Sequence, residues 1–342
     1  MSIVHLAQDL GLSVSTVSRA LNGYTDVAES TRLRVMERAQ ALGYKPNPGA
    51  RRLKTGKSGA IGVVLPASPE AGQFIDSMYS SLLGGTSSVL EPAGFSLMAT
   101  TSATTTPEQE QGVYENFIRS GWFDAFVIVR TRLEDPRVAL MHAHQKPFVT
   151  YGRCANSLNH AWVDTDNEMA FYMAAQRMIA FGHRRIALLN GPAEYTFAQL
   201  RQQGYCTALS QAKLPVNPQW MVQGHLSETG GFSMAQQLLA LPDRPTALLC
   251  ATDAMAIGAM AACRAVGLRV GTDVSIMGYG NNDAGRYSNP PLTTIEHRIF
   301  ENGQHLGQVL LAVMEGSEPA SLHYLEPVVL VPRSSDGPVV GH

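Results

Sequence analysis

Ser13-Val-Ser-Thr-Val-Ser-Arg-Ala-Leu-Asn22 is the stretch on which the reading of this chain turns. Ser13 offers a hydroxyl to the free N–H groups at a helix start; Val17 and Leu21, four apart, share one face, while Ser15, Thr16, Ser18 and Arg19 lie on the others. So short a helix is marginal alone in water and must pack on neighbours. Ile3, Leu6 and Ala7 form an apolar helical face just before it, and Gly11 stands where a first helix must stop and turn. The spacing predicts a helix-turn-helix. Its outer face of hydroxyls and one arginine suits phosphate oxygens and base edges, since a guanidinium reaches both acceptors of guanine in the major groove. Any small three-helix module can carry a similar helix, because Ser and Thr are common near helix starts.

Working outward, Val27-Ala28-Glu29-Ser30 leads into a third helix running to about Leu42, with Val35, Ala39 and Leu42 inward and Arg32, Arg34 and Arg38 elsewhere. Gly43 closes it. Tyr44 to Gly56 holds two prolines and two glycines and has two readings. One is a flexible linker. The other is a short helix from about Pro48 to Lys54 that orders when its cations meet phosphates, with Leu53 as an apolar wedge for a minor-groove base step.

Residues 1–58 carry nine Lys and Arg against four Asp and Glu, a net +5, and the remaining 17 against 24 give −7. A basic head on an acidic body suggests that the head alone meets a polyanion. The chain has 342 residues, 45% hydrophobic and 16% charged, which implies several globular domains. No run of eighteen apolar residues occurs, and the N-terminus enters a helix without a basic leader, so a cytoplasmic protein without membrane segments is expected. Cys154, Cys206, Cys250 and Cys263 are far apart, and no metal-ligand spacing occurs among the ten histidines; reduced, buried thiols and no metal or cofactor are expected.

From Gly59 the pattern changes. Val/Ile/Leu-rich strands at Ala60–Leu65, Phe95–Thr100, Ala125–Val129, Pro147–Tyr151, Arg185–Leu189, Ala247–Cys250 and Ser275–Tyr279 alternate with amphipathic helices, including Ser77–Leu90, Pro107–Ser120, Asn167–Phe181 and Asp253–Val266. The fold class is an N-terminal all-α helix-turn-helix head plus an α/β two-lobed body of two doubly wound parallel sheets. Ligands bind beyond the carboxyl ends of such strands, which places one between the lobes.

These residues resemble the lactose/galactose repressor (LacI/GalR) family. The similarity runs through Ser13 to Gly23, Thr31-Arg32, Leu42 to Asn47, Ala50-Arg51, Leu53 to Gly56, Gly182 to Ala187, Arg201-x-x-Gly204-Tyr205, Ala251-Thr-Asp253-x-x-Ala256-x-Gly258-Ala259 and Pro290 to Thr294, nearly the whole chain. The resemblance implies a transcription factor with a periplasmic-binding-protein-like body, acting as a homodimer on a near-palindromic operator. It divides the chain into a DNA-binding domain 1–45, a hinge 46–58 and an effector-binding and dimerisation domain 59–342, with lobes of about 59–163 plus 291–325 and 164–290 plus 326–342. It implies base contacts by Val14, Ser15 and Arg19, phosphate contacts by Ser2, Ser13, Thr16, Ser18, Asn22 and Thr31, and hinge contacts by Arg51 and Leu53. Gly49 replaces a larger apolar residue, which weakens the hinge helix. The tail 334–342 lacks leucine heptads, so a dimer rather than a tetramer is implied.

For the small-molecule effector, a mono- or oligosaccharide, the resemblance implies Arg201 first, with Asp166, Asp253, Phe197, Thr252, Arg153, Phe74 and Asn281. Asp253 reads equally well as a helix N-cap. Where relatives place an acid or Asn after Gly278-Tyr279, this chain has Gly280, so either Asn281 substitutes or the ligand is not a simple hexose. Tyr151-Gly-Arg153, Asn190-Gly-Pro192 and Thr196-Phe197 are similar to the branch of α-glucoside-responsive regulators. A corepressor response to a non-sugar metabolite and a sugar-binding protein without regulation are the alternatives. An enzyme is not expected, because no nucleophile elbow, phosphate loop or dinucleotide motif is present.

Overall fold

The hydroxyl of Ser13 does open a helix: it accepts the backbone N–H of Thr16 at 3.0 Å. In this computed structural model, residues 2–21, 24–44, 58–66, 77–102, 106–155 and 159–339 are described. Asn22, Phe74 and, in the hinge, Gly49, Arg51 and Leu53 lie outside them. The chain divides into two units, Met1–Gly59 and Ala60–His342.

The first unit holds α1 (Ile3–Leu10), α2 (Val14–Leu21) and α3 (Glu29–Ala41). Gly11, at φ 65°, ends α1 in the left-handed region where a side chain would be strained. Leu6, Ala7, Val17, Ala20, Val35 and Ala39 form the small core. Arg38 of α3 grips Asp9 of α1 through two hydrogen bonds, the longer at 2.9 Å, which holds the Asp9 carboxyl below the usual range.

The second unit runs β1 (Ala60–Pro66), α4 (Ser77–Leu90), β2 (Ser96–Ser102), α5 (Pro107–Ser120), β3 (Ala125–Ile128), α6 (Pro136–Ala143), β4 (Phe148–Tyr151) and β5 (Trp162–Thr165). It continues through α7 (Asn167–Ala180), β6 (Ile186–Asn190), α8 (Thr196–Gln211), β7 (Met221–Gln223), α9 (Glu228–Leu239), β8 (Ala247–Cys250), α10 (Asp253–Ala265) and β9 (Ser275–Tyr279). The short α11 (Asp283–Arg286), β10 (Thr293–Glu296), α12 (Ile299–Met314), β11 (His323–Glu326) and β12 (Val329–Val331) complete it. Caps explain sharp boundaries: Thr106 accepts the N–H of Gln109 ahead of Pro107, and Gly121 closes α5 at φ 62°.

Two six-stranded sheets result, ordered β11-β5-β4-β3-β1-β2 and β12-β10-β9-β8-β6-β7. In β1, Ile61, Val63 and Leu65 face a core shared with α4 and α12, while Ala60 and Val64 face α5 and α6. The two doubly wound parallel sheets are as expected, and at one edge of the second β12 runs antiparallel to β10. The chain leaves β11 at the carboxyl ends of the strands and enters the second sheet from that side, so it must run backwards along the edge.

The lobe boundaries also shift. The ladder keeps β5 in the first sheet through Thr165, holds Thr293 to Ile295 beside β9 and Glu296 beside β12 in the second, and keeps β11 in the first through Glu326. The chain therefore crosses just after 165, 296 and 326, rather than at 163, 290 and 325. The proline pair Pro290-Pro291 cannot donate to a ladder, but pairing begins at Thr293, beyond it. All four cysteines are free, yet only Cys250 and Cys263 are buried, which corrects the expectation for Cys154 and Cys206.

Glycines close the tightest helix pairs. A Cβ on Gly204 of α8 would run into the backbone carbonyl of Glu168 on α7, and one on Gly303 of α12 into that of Leu82 on α4. Backbone cannot yield as a flexible side-chain end can. Gly204→Ala is expected to lower the unfolding free energy by about 2 kcal/mol or more, seen as an earlier urea midpoint by far-UV circular dichroism; an unchanged midpoint would show that this contact is slack.

Candidate functional site

Val14, Ser15 and Arg19 are exposed on α2, as a reading helix requires. The Arg19 guanidinium is paired with Asp26 and stands 5.8 Å from the Tyr24 ring centroid. To reach a base, Arg19 must exchange Asp26 for guanine acceptors. Ser13 and Thr16 engage each other's hydroxyls at 2.8 Å, and Ser2 caps α1 by accepting from His5 N. Ser18 and Thr31 are half-buried.

In the second unit, the carboxyl ends of the strands converge between the lobes around Arg201 of α8, which is only 6% exposed. Its Nε donates to Asn167 Oδ1 at 2.8 Å and Nη1 to the Ala251 carbonyl at 2.6 Å. The guanidinium carbon lies 4.0 Å from the ring centroid of Tyr279, 4.7 Å from Phe197 and 5.5 Å from Phe171. No carboxylate of the described residues lies within ion-pair reach, and burial draws the guanidinium pKa down.

Around it, His297 stacks on Tyr279 at 4.6 Å with its Nδ1 buried and unpartnered. Burial and the neighbouring cation push the His297 imidazole down to about 3. From the first lobe, the Tyr151 hydroxyl meets the Thr165 hydroxyl at 3.2 Å, and burial pushes both the Tyr151 and Tyr279 phenols up.

The other predicted effector residues are drawn into protein contacts. Arg153 pairs with Asp164 at 2.8 Å. Asp166 caps α7 by accepting Met169 N at 3.0 Å. Thr252, not Asp253, caps α10. Asp253 is 2% exposed and has one oxygen on the Thr294 hydroxyl and the other on Asn282 N–H, so it anchors the turn 280–282. Within that turn the Asn281 side-chain oxygen Oδ1 accepts from Arg333 Nη2, and Gly280 sits at φ 136°, where a side chain would be strained. Space exists there, but the backbone disfavours any side chain.

Sequence reasoning did not single out Tyr151, Asp164, Asn167, Tyr279 and His297 as site residues; each is a polar group at a strand or helix end, the one signal available. The lobes touch at the cleft rim, where Thr196 N donates to the Thr131 carbonyl at 2.9 Å and Arg130 and Arg132 lie over Tyr195. Beside that contact is an opening of about 250 Å³ lined by Ser102, Glu110, Arg130, Arg132, Glu194 and Tyr195. Chemically, guanidinium donors beside aromatic faces can bind a hydroxyl-rich ring. The thiols are not poised to react, since loss of solvent pushes the half-buried Cys154 up to about 12 and the buried Cys263 to about 11.

A helix-turn-helix head joined to a two-lobed, periplasmic-binding-protein-like body defines a transcriptional regulator with a ligand-binding type of body. Residues 2–47 match the family described as "Bacterial regulatory proteins, lacI family", and residues 175–335 match "Periplasmic binding protein-like domain". The HTH-type transcriptional regulator AglR of Rhizobium meliloti (strain 1021) is 35% identical, over 99% of this chain and 95% of that one. The lac repressor dimer bound to operator and the anti-inducer ONPF superposes with a TM-score of 0.83 at 28% identity, covering 98% of each chain. The complex of the transcriptional regulator CelR with cellobiose gives 0.75 at 25% identity over 98% of this chain and 99% of that one. The chain belongs to the LacI family.

His297 makes the cleft acid-sensitive. An imidazole kept neutral by burial contributes stability that is fully present above its ordinary value of 6.5 and is lost as pH falls from there to about 3. His297→Phe keeps a ring on Tyr279 but cannot protonate. Its melting temperature is expected to fall less than that of the parent between about pH 7.5 and about pH 5, by calorimetry; equal falls would mean that His297 titrates normally.

Proposed function

We propose that this regulator is a repressor that binds a near-palindromic operator as a homodimer, and that a saccharide held between the lobes controls it. Arg201 carries the effector part of the reading. A cation removed from water without a counter-ion is costly unless it is retained for a partner, and aromatic rings with guanidinium donors suit the apolar face and hydroxyl rim of a sugar. The cellobiose complex of CelR supports that ligand class. Phe197, Tyr279 and Arg201 would contact the sugar directly; Asp253, Asn281 and Asp166 would shape the cleft through their protein contacts.

The exposed hydroxyl-and-arginine face of α2 supports operator reading, with Arg19 on guanine and Val14 and Ser15 on neighbouring bases. One small head spans one half-site, so two copies meet a palindrome. Closure around the sugar would favour one arrangement of the dimer, and DNA binding would change reciprocally. The protein acts where the DNA is, in the cytoplasm.

The full chain, heated with glucose, ribose, maltose, cellobiose or raffinose, is expected to melt higher with at least one of them, because a ligand that binds only the folded state raises the midpoint. Arg201→Lys, which keeps the charge but loses the planar fork, should abolish that shift. Shifts with nucleosides but with no saccharide would overturn the sugar reading. On a duplex recovered by selection against the full chain, Arg19→Ala should weaken binding about tenfold or more; unchanged affinity by fluorescence anisotropy would remove Arg19 from the reading face.

A further inference from the structure

The side chains lining the first crossing between the lobes form an unbroken hydrogen-bonded chain. Arg153, just after β4 in the first lobe, donates its Nε to Asp164 Oδ2 at 2.8 Å, and its backbone N–H reaches the same oxygen at 3.4 Å. Asp164 Oδ1 accepts from Thr165 N at 2.8 Å and from Asn167 Nδ2 at 3.2 Å. Asn167, the first residue of α7 in the second lobe, presents its Oδ1 to Arg201 Nε at 2.8 Å. Asp164, Asn167 and Arg201 are all at least nine-tenths buried, so water does not substitute for these links.

From this chain we infer that Asp164 is a positioning residue: it orients the Asn167 amide that seats Arg201 and ties that seat to Arg153 of the opposite lobe. The inference rests on the reading of Arg201 as the effector-binding group. Four donors converge on the Asp164 carboxylate, which has acceptors only. With its Nδ2 held by Asp164 and by the Thr165 carbonyl at 3.0 Å, the Asn167 amide must turn its oxygen towards Arg201. An amide at position 164 would set its own NH2 against some of those donors, and the Asn167 orientation would lose its cause. The carboxylate charge also acts on Arg201 through the low-dielectric interior, in the sense that keeps the guanidinium protonated. Movement of the first lobe that displaces Arg153 is thereby transmitted to the seat of Arg201, and occupancy of that seat is felt in the first lobe.

A plain brace for β5 would need the same ion pair but not the link to Arg201, and the rate at which phenylglyoxal modifies Arg201 separates the two. The ligand-free full chain is treated with the reagent and the Arg201 peptide is quantified by mass spectrometry, with the 73% exposed Arg269 as internal control. Asp164→Asn should raise the Arg201 rate about tenfold, as loss of one hydrogen bond to a charged group implies, and leave Arg269 unchanged. Asn167→Ala should do the same, and the double variant should be no faster than Asn167→Ala alone. If Asp164→Asn does not fold, Arg153→Gln, at a partly exposed position, should accelerate Arg201 in its place. An Arg201 rate unchanged in the folded position-164 or position-153 variant, or multiplying accelerations in the double variant, would overturn the inference. The rate is read without sugar, so an empty saccharide screen would remove the effector reading without deciding this one.

Discussion

A guanidinium removed from water must be met by acceptors or by aromatic faces, and the way Arg201 is met organises the space between the lobes. Its partners come from separate points of the chain: Asn167 at the start of α7, the Ala251 carbonyl beyond β8, Tyr279 at the end of β9 and Phe197 in the first turn of α8. These points meet because parallel strands bring all their carboxyl ends to one side of a sheet. Gly204, three residues after Arg201, lets α8 settle against α7 closely enough for the Arg201–Asn167 bond. Backbone packing and the cleft's chemistry are thus one constraint.

The same economy is visible at the other charged groups. Asp253 and Asp164 are carboxylates that burial pushes towards the neutral form, and each is held by several donors. Asp253 fixes the turn 280–282 and Asp164 stands on the first crossing. In the head, Arg38–Asp9 joins α3 to α1, while Arg19–Asp26 holds the α2 arginine against the loop that follows α2. A pair of the first kind joins two helices; one of the second kind lies at the surface and contributes little, because both partners are half-exposed.

Much of the fold was legible in particular residues. Thr106-Pro107 and Gly121 bound α5, and Ser13 and Gly11 bound the turn of the head, because caps and left-handed glycines act locally. The short strand β5 was not legible: Trp-Val-Asp-Thr carries a carboxylate inside a four-residue strand that lies between β4 and β11, and has no period to detect. The crossing points came only approximately from the resemblance, whereas the hydrogen-bond ladder sets them in the protein. At the site, Arg201 stands 4.7 Å from the Phe197 ring centroid. Asp166, Asp253 and Asn281 each also hold a contact that the sequence did not show, to Met169 N–H, to Asn282 N–H and the Thr294 hydroxyl, and to Arg333.

The sequence by itself determined the head, the alternation of strands and helices, the division of charge between basic head and acidic body, and the family. Each rests on local periodicity, on short motifs or on composition. Only the tertiary structure decided which acids face the cleft and which are tied down, where the chain passes between lobes, the reversed direction of β12, and the chain of contacts from Arg153 to Arg201. Those outcomes depend on which donors reach a given oxygen across 11 or 34 positions of sequence, as for Arg153–Asp164 and Arg201–Asn167. Such competition between partners is settled by packing, which no local pattern encodes.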